Sequence, residues 1–436
     1  MPRAVLVLAV FAIVHAPAAA RGQATAPLTA VRFGRLVDGR GQVLRDAVVV
    51  VEGDRIVRVG VGPTAVPAGA TVVDLSRYTG LPGLIDAHTH MTFYWDRAPG
   101  SRPWAQLGTL GPAVTVYLAQ ENARRTLETG VTTVRDLGSS EYMDVAMRDL
   151  INRGAMIGPR MFVAGYGLHV ASSPVRPGAP PPDPGEADGV AEVQRVARQQ
   201  LAAGVDWIKM YGSTGSDRDT SGYETFTYEE MKAAADVAHQ AGKRIAIHSY
   251  GPDGGRDAVR AGAESVEHAT DLDDATLAEM VRRGTVYVPT IDHNRYYVAH
   301  RAEYGYDSAD AAGLEAYMKR NIATLRRAIH AGVRIAMGSD AVFTGFGENT
   351  RELDRFVEAG MTPVQAIASA TTTAAALLGK ANELGSIAPG YFADMIAVDG
   401  DPTTDIGAVT RGVKWVMKGG KVVVDKRAAP ARAAAP

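Results

Sequence analysis

Six side chains suited to holding a metal ion each close an apolar run in this 436-residue sequence. Leu84-Ile-Asp-Ala-His88-Thr-His90 carries two histidines one residue apart. Alternate residues of an extended chain share a face, so both imidazoles point the same way. Lys209 closes Val205-Asp-Trp-Ile-Lys209, His248 closes Arg244-Ile-Ala-Ile-His248, and His268 closes Glu264-Ser-Val-Glu-His268. Asp340 ends the run that begins at Val333. Four of the chain's 10 histidines thus stand at such ends. Singly, each residue has a plain explanation. The histidines can be hydrogen-bonded inside a buried strand, Lys209 can pair with Asp136 or another carboxylate, and Asp340 can cap a helix or turn. Together they form a ligand set for borderline divalent ions, zinc first, with room for water. Two such ions held close together need a bridging anion. A lysine buried among cation ligands is costly when protonated. Its neutral amine is nucleophilic, so CO2 can convert it to a carbamate, a bidentate anionic ligand.

These runs need a scaffold that gathers their ends. Between residues 81 and 380 a helical stretch repeatedly ends at a glycine and an apolar strand follows at once. The glycines are Gly130, Gly204, Gly242, Gly262, Gly284 and Gly332. Glycine just past a helix end is the expected left-handed cap. Thr227 with Glu230, and Thr362 with Pro363 and Gln365, read as capping boxes at helix starts. With the strands at Leu84–His90 and Arg160–Gly165 the count reaches eight, which predicts an α/β fold, a (β/α)8 TIM-type barrel. A doubly wound sheet would alternate in the same way, but no Gly-rich phosphate loop follows the first strand. In a barrel the C-terminal strand ends share one mouth. Residues 25–80 and 381–428 read as short strands separated by turns, and predict a small composite β-sandwich domain built from both chain ends. The loops 171–188 and 217–225 leave strand ends, where barrel enzymes place substrate-covering segments; simple surface insertion is the alternative.

Composition narrows the field. Hydrophobic residues make up 46% and charged residues 22%, with a net charge of −2, which gives nucleic acid no reason to bind. The absence of cysteine excludes disulfides, thiolate catalysis and Cys-ligated zinc. Residues 1–24 read as a signal peptide: Arg3, an apolar run from Ala4 to Val14, then small residues including Ala18 and Ala20. That run is too short for a comfortable membrane span, so the expectation is an exported protein, periplasmic or extracellular, without stable membrane insertion. The Ala-, Arg- and Pro-rich end, 429–436, is expected to be disordered. Assembly into a homo-oligomer is left open.

Gly83-Leu-Ile-Asp-Ala-His88-Thr-His90, the strand-end lysine, the two later histidines and Gly338-Ser-Asp340 together resemble the amidohydrolase superfamily. Ser386-Ile-x-Pro-Gly-x-x-Ala-Asp394-Met-Ile-Ala-Val is similar to that family's return to its β domain. Within it the chain looks most like the metal-dependent carboxypeptidase and dipeptidase branch, prolidase-like and ochratoxinase-like. The related imidazolonepropionases lack the bridging lysine. The resemblance implies two divalent metal ions, zinc by ligand type. His88 and His90 would hold the buried ion, His248 and His268 the other, and carboxylated Lys209 would bridge them. Asp340 would bind the buried ion and act as general base for a metal-bridging hydroxide that attacks an amide carbonyl. The implied substrate is a small molecule, a dipeptide or N-acyl amino acid. A lactone, ester or cyclic-amide hydrolase with the same site is the first alternative, and an exported non-catalytic binding protein the second. Four residues after strands are candidate substrate contacts: His169, Tyr211, Tyr250 and His293. Arg135 and Arg218 are further candidates to meet a substrate carboxylate. Where related sequences often have Ser-Gly-Gly after the lysine, this one reads Met210-Tyr-Gly-Ser-Thr-Gly.

Overall fold

The computed structural model describes residues 27–171, 183–215 and 218–427. The expected signal segment 1–24 and tail 429–436 lie outside these residues, as do parts of the loops 171–188 and 217–225.

Four strands open the chain: β1 (Leu28–Val37), β2 (Val43–Glu52), β3 (Arg55–Val61) and β4 (Thr71–Pro82). Eight follow with helices between them: β5 (Leu84–Thr89), β6 (Val131–Asp136), β7 (Arg160–Val163), β8 (Trp207–Tyr211), β9 (Arg244–Ser249), β10 (Ser265–His268), β11 (Val286–Val288) and β12 (Arg334–Ile335). Three close it: β13 (Met395–Val398), β14 (Val413–Lys418) and β15 (Lys421–Asp425).

The terminal strands, expected as a sandwich, are hydrogen-bonded into one seven-stranded sheet in the order β15-β14-β13-β4-β1-β2-β3. The joint is β4, which runs parallel to β1 and antiparallel to β13. Alternation along the strands sorts their side chains. Val31, Phe33, Val49, Met395 and Trp415 pack in one apolar cluster, while Ala30, Val48 and Val50 pack in another.

The eight middle strands are all parallel, in a sheet ordered β12-β11-β10-β9-β8 and another ordered β5-β6-β7. Backbone bonds reach across both seams. Asp206 N donates to Val163 O and Leu168 N to Lys209 O beside β7 and β8; Ala87 N donates to Met337 O and Asp340 N to His88 O beside β5. The strand expected over Val333–Asp340 is regular only at Arg334–Ile335, and Asp340 beyond it takes a left-handed φ of 50°. The glycine cadence matches: Gly130, Gly204, Gly242, Gly262, Gly284 and Gly332 all have positive φ. Both capping boxes form, Thr227 with Glu230 and Thr362 with Gln365. Among the described residues no helix is long and apolar enough to cross a membrane.

Gly83 is the hinge between sheet and parallel strands. Its N donates to Asp394 O, and a Cβ there would lie 2.2 Å from Thr132 Oγ1 and 2.7 Å from Thr132 Cγ2. Gly83→Ala should therefore destabilise by about 1–3 kcal/mol through overpacking. Adding Thr132→Ala, which also removes a buried hydroxyl without a partner, should restore much of that loss in urea unfolding. A double variant no more stable than Gly83→Ala would show that the clash is not the cause.

Candidate metal centre

Six predicted ligands meet at the C-terminal ends of the parallel strands, around a cavity of about 230 Å3. His88, His90, Lys209, His248, His268 and Asp340 all line it. Candidate ligand atoms of His88, His90 and Asp340 lie within 4.8 Å of one another. Asp340 Oδ1 is 3.2 Å from His90 Nε2 and 3.5 Å from His88 Nε2. Its Oδ2 is 3.4 Å from His293 Nε2 and 3.9 Å from His268 Nδ1. The ring of His268 stands 5.0 Å from that of His88 and 4.5 Å from that of His248, centroid to centroid. Buried with no hydrogen-bond partner, His88 Nε2 and His248 Nε2 are lone pairs suited to a cation.

Burial sets the charge states. It is the largest influence on His88, which with help from Lys209 falls to about 4 despite Asp340 and Glu267. His248 and His268 are held well below the ordinary histidine value, again chiefly by burial. For His90 burial is more than offset by Asp340, which raises it. Burial would raise Asp340, but His293, His88, His90 and His268 together hold it well below the usual carboxylate range. Lys209 is 1% exposed, and burial lowers it to about 8 against the pull of Glu267 and Asp340. Among the described residues no carboxylate forms a salt bridge with Lys209; its Nζ sits 5.1 Å from the centre of the Tyr211 ring. The alternative partner, Asp136, accepts instead from Thr89 Oγ1 and Met91 N. Neutral imidazoles at His88, His248 and His268, an ionised carboxylate and an amine without a salt bridge suit divalent ions.

Three of the four expected substrate contacts also line the cavity: Tyr211, Tyr250 and His293. His169 does not. β7 ends at Val163, well before His169, whose Nε2 lies 3.2 Å from Asp183 Oδ1. Neither arginine reaches the cavity. Arg135 is fully buried beneath the histidines, and Arg218 donates to Gly305 O with its guanidinium 4.5 Å from the Tyr306 ring centre. An aromatic wall of Phe93, Trp104 and Tyr297 completes the lining, a feature not anticipated from sequence.

The model of the amidohydrolase family matches residues 79–423. The chain belongs to the amidohydrolase family. It is 30% identical over 430 residues to ochratoxinase of Aspergillus niger, across 91% of this chain and 87% of that one. A solved Xaa-Pro dipeptidase with methionine bound in its active site is similar at TM-score 0.82 and 32% identity, over 91% of this chain and 99% of that one. A prolidase complexed with N-methylphosphonate-L-proline is similar at TM-score 0.81 and 27% identity, over 91% and 100%.

Further residues of this amidohydrolase brace the set. Asp86, raised to about 6 by burial, accepts from Ser339 N, Ser339 Oγ, Asn349 Nδ2 and His88 N, tying the Asp340 turn to β5. Glu352 accepts from Ile291 N at 2.8 Å and Asp292 N at 2.7 Å. It thereby fixes the N-terminus of the Ile291–Ala299 helix, which carries His293 and Tyr297. Asp136 holds Met91 N just past His90. Burial, then the Asp144 carboxyl, raises it to about 8 from its usual 3.8. The folded chain thus keeps a proton that the unfolded chain sheds, and this residue's contribution to stability declines as pH rises through that window. Asp136→Asn removes the decline. Relative to the parent, the variant should gain stability between about pH 5 and about pH 8 in urea titrations; a stability difference independent of pH would count against the buried proton.

Proposed function

We propose that this amidohydrolase cleaves the amide bond of a dipeptide or N-acyl amino acid, with Asp340 as its general base. The observation that carries the reading is the setting of Asp340, whose two oxygens are shared among His88, His90, His268 and His293. Similarity to ochratoxinase, a Xaa-Pro dipeptidase and a prolidase supports the choice of bond. The reading takes the eight parallel strands as a closed (β/α)8 barrel, supported by the backbone bonds across both seams.

His88, His90 and Asp340 would hold one ion, His248 and His268 the second, and Lys209 would lie between. Divalent ions there, zinc by donor type, would acidify a water and polarise the amide carbonyl. Lys209 is suited to the bridge because burial favours its neutral amine. Addition of CO2 to that amine releases one proton and leaves an anionic carbamate. Asp340 is ionised and takes a proton from the attacking water. As the C–N bond breaks it returns that proton to the departing nitrogen, so the amine leaves neutral. Tyr211 and Tyr250 offer hydroxyls, and His293 an imidazole, to orient the substrate. Among the described residues no arginine lines the cavity, so Tyr211, Tyr250 and His293 are the groups that would meet a substrate carboxylate. The 1–24 segment, with Arg3 and its apolar run, supports export to the periplasm or beyond the cell.

Asp340→Asn should keep the fold and lower kcat/KM on dipeptide and N-acyl amino acid panels by about 10^2- to 10^4-fold; near-parental turnover would remove Asp340 from the base role. Lys209→Ala should bind fewer ions per chain in elemental analysis. Short carboxylic acids added to the buffer should restore part of the loss, and unchanged stoichiometry would rule out a lysine bridge. Turnover confined to lactones or esters when those are assayed beside the peptides would move the substrate class.

A further inference from the structure

Beneath the cavity lies a second layer of charge that no step above uses. Glu267 on β10 and Arg135 on β6 are both 0% exposed. Glu267 Oε1 accepts from Arg135 Nη2 at 2.9 Å and from Ser265 Oγ, while its Oε2 lies 2.8 Å from His88 Nδ1. Arg135 also donates through Nε to Ala87 O at 2.6 Å and through Nη1 to Ser265 Oγ at 2.8 Å. Its guanidinium stands 4.5 Å from the centre of the Trp207 ring. The pair therefore grips both the peptide that precedes His88 and the ring of His88 itself.

A buried ion pair is a poor way to fill a core, because desolvation of both charges can exceed their mutual attraction. Apolar side chains of similar volume would pack there at lower cost. What the pair does that apolar residues cannot is dictate a proton. Guanidinium stays protonated under all ordinary conditions. A carboxylate paired with it is an acceptor only. The hydrogen between Glu267 and His88 must then sit on Nδ1, leaving Nε2 bare. That bare Nε2 is the buried atom without a hydrogen-bond partner, 3.5 Å from Asp340 Oδ1.

We propose that Glu267, backed by Arg135, is a positioning residue that locks His88 in the tautomer and ring orientation needed to present Nε2 to a divalent cation. The inference rests on His88 being a metal ligand, as read above. Outer partners of ligating histidines raise ligand basicity and hold the ring, and their loss weakens metal binding about 10- to 100-fold.

The test uses the full chain, stripped with chelator and titrated with Zn2+ against a competing indicator, alongside thermal melting of the metal-free form. Glu267→Gln keeps the shape but gives up the charge. It should lower zinc affinity about 10- to 100-fold and also lower the melting temperature, since Arg135 is left buried without its counter-charge. The Glu267→Gln/Arg135→Met double variant removes that stranded charge, and it carries the test if the single variant does not fold. It should recover melting temperature without recovering zinc affinity, a split that a merely structural role would not give. The Co2+-loaded double variant should also differ from the parent in its visible absorption bands. Parental zinc affinity in a well-folded double variant would overturn the positioning role while leaving the metal centre intact. A parent that binds no zinc at all would overturn the metal-centre reading, and this inference with it.

Discussion

Charge taken out of water must be met at once by another group, and the centre of this protein is organised by that demand. Arg135, Glu267 and Asp340 are all at most 6% exposed, with five buried imidazoles around them. An isolated buried charge costs several kcal/mol even after relaxation. The partners that offset this come from different strands. Glu267 on β10 meets Arg135 on β6 and His88 on β5, and Asp340 after β12 meets imidazoles from β5 and β10 and from the helix that follows β11. A register slip of one residue would turn an entire strand's side chains to the other face. It would strand several charges together, so assembling the site and setting the strand register are one problem.

Much of this was legible in the residues themselves. A glycine followed by an apolar run marks a helix end and a strand start for local reasons, capping and burial, and those reasons hold here at six positions from Gly130 to Gly332. Taking the last polar residue of each run found His88, His90, Lys209, His248, His268 and Asp340, which the structure gathers around one cavity. Glu267 escaped because alternation places it on the face opposite His268. His268 has a φ of 72°, which breaks the alternation and lets neighbouring residues both face inward. Arg135 looked available to a substrate for a similar reason: its charge is visible in sequence, whereas its depth below the mouth is a tertiary fact. Asp86 and Glu352 act on backbone amides distant in sequence, and no local pattern announces such partners. His169 lies beside Asp183 rather than in the lining, a placement that strand ends alone do not reveal.

The cavity joins a polar floor to an aromatic rim. Phe93 stacks obliquely on His90, with ring centroids 4.9 Å apart, and Trp104 meets Phe93 edge-on at 6.3 Å. Tyr297 packs edge-on against His293 at 4.7 Å. Rings so close to the ligands restrict water around them and strengthen every electrostatic contact inside. Tyr250, stacked on Tyr317 at 4.5 Å, gives the opposite side the same rigidity. Much of the substrate's surroundings is thus held by packing before anything binds.

The seven-stranded sheet has a consequence in time as well as space. Strand β4 is complete by residue 82, yet its β13 edge is supplied near residue 395; the bond from Thr79 Oγ1 to Gly400 O spans 321 positions. A chain growing from its N-terminus must hold that edge open until β13 has emerged. Such distant pairing is slow, and a bare strand edge is a template for strands of other molecules. The first segment made is therefore among the last to be completed, and chains released short of β13 are more prone to join one another than to leave a smaller working enzyme.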